Sequence, residues 1–205
     1  PLAADATVLR LQNGLGSLDG RLPDGARMIE VVSASAVKRD GGTHRVVAEN
    51  DTWMGENAAG GPPAWFSALS AHWPKLHWPH DFRHRQWRKL VGNAVINPLT
   101  GLHDVANGRI FQDPTLAAEA EALSREADRV LTSLDPTWPG DSLAGVRALA
   151  DATAGNTSSM RADMQAGALT EIDAINGWLL RQAEALDIDL PSHRRIIAAV
   201  KARHP

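Results

Sequence analysis

Lys89, Asn93 and Asn97 recur every four residues. On a helix that spacing sets an ammonium and two amides in a column along one face. The intervening residues, Leu90, Val91, Ala94, Val95 and Ile96, are apolar, so this helix is expected to be largely buried. A polar column in a buried helix must be satisfied by partners or by a ligand. Asn is also a poor interior helix former, so two on one stripe ask for a reason. Two readings stay open at this level, a polar seam bonded to a neighbouring helix or a ligand site. In the second case the ammonium could stabilise negative charge and supply a proton. Lysine suits that chemistry because its pKa moves readily with burial. Arg83, Arg85 and Arg88 precede Lys89, and any that faces it would favour the neutral amine.

Three further groups attract attention. Asn156-Thr157-Ser158-Ser159-Met160, with Asp163 and Glu171 downstream, is rich in polar side chains, although Ser and Asn at a helix start are usually caps. Gly14-x-Gly16 follows a strand candidate, as a dinucleotide fingerprint requires. Its third glycine is misplaced, however, since position 19 is Asp and Gly20 comes one residue late. A tight loop is the expectation there. Asn13 stands at the C-terminal end of that strand, where ligands bind in open α/β sheets. His72, His77, His80 and His84 crowd one segment, but their spacing matches no closed zinc pattern. They are expected to be solvated, with no metal bound.

The elements that must position these residues fall into two parts. Thr7–Leu11 and the β-branched run Arg27–Val37 read as strands. Lys38-Arg39-Asp40-Gly41-Gly42 reads as a turn, with Asp-Gly the strongest local signal. Thr43–Ala48 and Asp51–Met54 would complete an antiparallel meander. Pro63 is expected to open a short helix through Ala71, and Trp73 to Asp81 reads as a connector. From there the pattern turns helical. Arg83–Asn97 is expected to stop near Pro98. Pro114–Leu134 follows, capped by Asp113, and then Asp141–Ala152 and Asn156–Gln165. Thr170-Glu171-Ile172-Asp173 reads as a capping box opening a helix to Ala185, and Pro191–Arg203 is the last helix. The division therefore falls near residue 80, into residues 1–80 and 81–205.

The composition is that of a soluble globular protein, with 43% hydrophobic and 22% charged residues. A net charge of −3 gives no basic excess to hold phosphates, so neither a nucleic-acid nor a membrane partner is expected. Cysteine is absent, which removes disulfides, thiolate metal sites and a cysteine nucleophile and suits a cytoplasmic location. No apolar run approaches the roughly 20 residues of a membrane span, and no signal peptide is visible. The opening at Pro1, close to a buried strand, suggests that an N-terminal part precedes it.

Taken in order, these segments resemble the ketopantoate reductase (2-dehydropantoate 2-reductase) family. The resemblance rests on Gln12-Asn13-Gly14-Leu15-Gly16, Lys38-Arg39-Asp40-Gly41, Trp87-Arg88-Lys89-Leu90 with Asn93, and Asn97-Pro98-Leu99-Thr100. It continues through Asn107-Gly108, Ser158-Ser159-Met160 with Asp163, and Thr170-Glu171-Ile172-Asp173 with Ile175-Asn176-Gly177. It implies an α/β remnant of a Rossmann-type domain followed by an all-α domain like that of 6-phosphogluconate dehydrogenase. It also implies NADPH-dependent reduction of ketopantoate to pantoate, on the way to pantothenate and coenzyme A. A related 2-oxo acid reductase and a non-catalytic helical module are the alternatives. The family's N-terminal glycine-rich loop and the cofactor-binding lysine of that half have no counterpart here. By resemblance Lys89 is the general acid, and Asn13, Asn93, Asn97, Asn107 and Ser159 hold the substrate. Asn13, Val37 and Glu171 would contact the cofactor. The implied partner is a small 2-oxo acid, with a homodimer as an open option.

Overall fold

The computed structural model describes residues 2–3, 5–56 and 60–203. Two compact units form, one from residues 1–12 and 18–86 and the other from 13–17 and 87–205.

The first unit is a small mixed sheet. Strands β1 (Thr7–Leu11), β2 (Arg27–Ser33), β5 (Thr52–Gly55) and β6 (Leu76–His77) lie in the order β1-β2-β5-β6. β1 runs parallel to β2, β5 antiparallel to β2, and β6 parallel to β5. β3 (Ala36–Asp40) and β4 (Thr43–Ala48) form a separate antiparallel hairpin. Gly41 sits in its turn at φ 58°, the left-handed region where glycine costs least. The expected single meander is therefore two sheets. Arg27–Val37 is split because a polar knot interrupts it: the Ser33 hydroxyl accepts from the Ser35 amide, and the Asn50 side chain donates to the Ala34 carbonyl. The short strand β6 lies in what the sequence suggested was a connector. Its two residues are too few to show a period-2 pattern, and it exists by pairing with β5.

Ile29, Val31, Met54 and Leu76 make the core of this unit, with Phe66, Leu69, Trp73 and Trp78 packed against them. Phe66 belongs to helix α1 (Phe66–His72) and meets Trp78 edge-on, with centroids 5.5 Å apart. An ion pair is buried beside this core. The Arg10 guanidinium on β1 donates from Nε to Glu30 on β2 at 2.9 Å and makes a second bond to the other carboxylate oxygen. Burial raises the Glu30 pKa, while Arg10 pulls it back down.

The second unit is helical: α2 (Phe82–His103, which begins in the first unit), a 3-10 turn (Asn107–Arg109), α3 (Pro114–Leu134), α4 (Ser142–Ala152), α5 (Ser159–Ala166), α6 (Ile172–Ala185) and α7 (Pro191–Arg203). Leu116, Ala120, Leu123, Ala127, Val130 and Leu131 form the buried stripe of α3, which packs with Leu90, Val91, Ala94, Val95 and Leu99 of α2 and Ile175 and Leu179 of α6. Asp113 caps α3, accepting from the Thr115 and Leu116 amides at 2.8 and 3.2 Å. Glu126, buried on α3, accepts from the Ser192 and His193 amides and so caps α7.

Two helix ends depart from expectation. α2 does not stop at Pro98 but continues to His103. Pro98 has no N–H for the Ala94 carbonyl, and the Asn176 side chain of α6 donates to that carbonyl instead, at 2.8 Å. The capping box at Thr170 does not form, and Glu171 is the N-cap residue of α6 with no side-chain capping bond. The Asp173 carboxylate, which would close that box, pairs with Lys201 at 2.7 Å instead.

Removing one member of a buried ion pair strands the other, typically at a cost of about 3–5 kcal/mol. Arg10→Met is therefore expected to destabilise strongly, and Arg10→Met with Glu30→Leu to recover much of the loss, as read by urea unfolding.

Candidate active site

The polar column predicted on α2 is present. Lys89 and Asn93 are half-buried and Asn97 is buried at 5% exposure. Lys89 and Asn97 are eight positions apart, about 12 Å along the helix axis. At the Lys89 end, Glu171 and Asn13 come together. The Asn13 amide donates to the Glu171 carboxylate at 2.9 Å. Burial lowers the Lys89 pKa from its ordinary 10.5, and the Glu171 charge opposes that shift. Burial, rather than the preceding arginines, is what lowers it: Arg83 and Arg88 are exposed, and Arg85 pairs with Asp81 at 2.8 Å.

The other end of the column meets α5. The Asn97 amide donates to the Ser159 hydroxyl at 3.4 Å, a long bond. A tighter contact secures the same junction, with the Thr100 and Ser158 hydroxyls 2.7 Å apart. Ser158 also caps α5, accepting from the Arg161 amide at 3.1 Å. Sequence reasoning gives Thr100 and Ser158 no site role, although Ser158 lies in the polar segment Asn156-Thr157-Ser158-Ser159-Met160. The available signal was the position of Thr100, one turn beyond Asn97 on the same helix.

Asn107 takes a different place. Its amide donates to the Thr153 hydroxyl at 3.0 Å, and its backbone N–H to the Asn156 carbonyl. Its buried Oδ1 has no hydrogen-bond partner among the described residues. Val37 lies on β3 of the first unit, 59% exposed. Among the described residues no cluster of His, Cys, Asp and Glu could hold a metal ion, and His77 pairs with Asp51 at 2.7 Å.

The Gly14-x-Gly16 loop is a packing device. The Leu15 amide donates to the Ala174 carbonyl at 3.1 Å, so it is already used. A Cβ on Gly14 would collide with the Ala174 side chain and lie 2.7 Å from the Ala174 carbonyl oxygen. This close approach sets Asn13 against Glu171.

Residues 81–204 match the family described as Ketopantoate reductase PanE/ApbA C terminal. A 2-dehydropantoate 2-reductase of Yersinia pestis is 32% identical over 205 residues, covering 98% of this chain and 67% of that protein. The chain belongs to the ketopantoate reductase family. The crystal structure of a PanE/ApbA family ketopantoate reductase from Ralstonia eutropha JMP134 superposes with a TM-score of 0.86 at 25% identity. It covers 99% of this chain and 68% of that one. D-mandelate dehydrogenase, solved with NADH and anilino(oxo)acetate, shares the fold at a TM-score of 0.85 and 20% identity, over 99% of this chain and 68% of that one. Among the described residues no helix is long and apolar enough to cross a membrane.

In this ketopantoate reductase family member, Gly14→Ala is expected to destabilise by about 1–3 kcal/mol through overpacking. Ala174→Gly should recover only part of that in thermal unfolding, because the Ala174 backbone is also in the way.

Proposed function

We propose that the chain acts in the reduction of ketopantoate to pantoate, with Lys89 as general acid. The observation that carries this reading is the half-buried Lys89, lowered in pKa, opposed by Glu171 and aligned with Asn93 and Asn97 on one helix face. Reduction of a 2-oxo acid builds negative charge on the carbonyl oxygen. An ammonium held there stabilises that charge and then gives up its proton, a contribution of about 100- to 10,000-fold. A lysine with a lowered pKa gives its proton more readily, and the Glu171 charge favours the ammonium that does so. Asn93, Asn97 and Ser159 orient the substrate through neutral donors, without a second full charge beside the ammonium. In this reading the orphaned Asn107 Oδ1 is the acceptor for a substrate hydroxyl.

The cofactor proposed is NADPH, which when bound would supply the hydride. The Asn13 and Glu171 pair fits a nicotinamide nucleotide, because it offers an amide donor and carboxylate acceptors to a carboxamide or a ribose hydroxyl. Val37 on the exposed hairpin is the further nucleotide contact. Residues 1–80 are read as the C-terminal part of a Rossmann-like NADP-binding domain and residues 81–205 as the substrate-binding and catalytic domain. A cytoplasmic location completes the proposal, with a homodimer as an open option.

The test is ketopantoate-dependent oxidation of NADPH, followed by absorbance on the purified protein. Lys89→Ala is expected to lose about 100- to 10,000-fold in kcat, with its Tm kept. Undiminished turnover in that variant would remove Lys89 from the mechanism. A higher kcat/KM for another 2-oxo acid in a panel would assign a different substrate. No turnover with any of them would favour a non-catalytic module.

A further inference from the structure

Pro98 sits inside α2 and cannot donate to the Ala94 carbonyl one turn before it. Ala94 is fully buried, so water cannot serve that carbonyl. Asn176, itself at 0% exposure, donates to it at 2.8 Å. The same amide nitrogen lies 3.2 Å from Nδ1 of His193, and Nε2 of His193 lies 3.1 Å from the Leu123 carbonyl oxygen. A carbonyl only accepts, so Nε2 carries the ring proton and Nδ1 is the acceptor. Both amide hydrogens of Asn176 are then used, one on the helix and one on the imidazole. Burial lowers the His193 pKa from its ordinary 6.5 and so favours the neutral ring, with the Leu123 carbonyl acting against that shift. Glu126, which accepts from the backbone amides of Ser192 and His193, is the carboxylate that acts against that shift.

The location of this bond gives it meaning. Ala94 follows Asn93 and Pro98 follows Asn97, so the intrahelical bond that Pro98 cannot make would close the turn between the two amides of the column, and Asn176 serves the Ala94 end of it. The far side of that turn is pinned where Thr100 meets Ser158. Between these two anchors lies the long contact from Asn97 to Ser159, which a small shift of the turn would break. Lys89 precedes the turn, under the opposing charge of Glu171.

We propose that Asn176, oriented by His193, is a positioning residue for the reaction: its side-chain amide replaces the N–H missing at Pro98 and so fixes Asn97 against Ser159. This inference rests on the reading of Lys89 and Asn97 given under Proposed function. It concerns substrate placement more than proton transfer, so its loss should appear mainly in KM.

The test is a double-mutant cycle of Asn176→Ala and Pro98→Ala in the whole protein, read by thermal unfolding and by steady-state kinetics with ketopantoate and NADPH. Asn176→Ala should raise KM for ketopantoate about tenfold, the scale of one lost hydrogen bond, and change kcat by less than about threefold. Adding Pro98→Ala restores a backbone N–H opposite Ala94 and should recover most of both KM and Tm. Should Asn176→Ala alone fail to fold, recovery of folded protein in the double variant would equally support the substitution of Asn176 for the missing amide. A double variant as impaired as the sum of the singles, or failing to fold as well, would overturn that substitution. An unchanged KM in Asn176→Ala would overturn its positioning role. Absence of turnover in the unaltered protein would remove the reading of the site and that role with it, while the Tm cycle would still decide the bond to Ala94.

Discussion

Lys89 stands where two opposing forces meet. Burial in α2 favours its neutral amine, and the Glu171 carboxylate favours its ammonium. A lysine in water would hold its proton too firmly, whereas a fully buried lysine with no counter-charge would not carry one at neutral pH. The general-acid role proposed for Lys89, stabilising a developing oxyanion and then surrendering a proton, draws on both forces. The surrounding architecture sets that balance. The close approach of Gly14 to α6 brings Asn13 to Glu171, and the Asn13 amide gives that carboxylate a fixed partner.

The same economy of polar partners runs through the helical unit. Glu126 caps α7, Ser158 caps α5 and meets Thr100 on α2, and Asn176 serves the carbonyl freed by Pro98. Each is a buried polar group whose partner lies on a different element. Such bonds contribute modestly when made and cost more when broken, so they fix the helices in one arrangement. For the proposed site, whose amides line up over about two helical turns, that uniqueness matters as much as stability.

Much of this was legible because it is local. Spacing alone placed Lys89, Asn93 and Asn97 on one face, Asp113 before Pro114 marked the start of α3, and Asp40-Gly41 marked the hairpin turn. What misled were local rules overridden by distant residues. Pro98 reads as a helix end because its own neighbours supply no donor for Ala94, and the donor lies 82 positions from the carbonyl it serves. Thr170-Glu171-Ile172-Asp173 reads as a capping box, but Lys201, 28 positions away, holds the Asp173 carboxylate. Strand β6 is visible only through its pairing with β5. The family resemblance supplied the roles, and it named Asn107, whose amide the structure bonds to Thr153.

The most direct test is to titrate the lysine side chains themselves. The chain has four lysines, Lys38, Lys75, Lys89 and Lys201, so NMR of 13Cε-labelled lysine gives few enough signals for Lys89→Arg to assign one. The Lys89 signal is expected to titrate below 10.5, and lower still in Glu171→Gln, where only burial acts on it. A Lys89 signal that titrates at the ordinary lysine value, or is indifferent to Glu171→Gln, would contradict the balance of burial and counter-charge at this site.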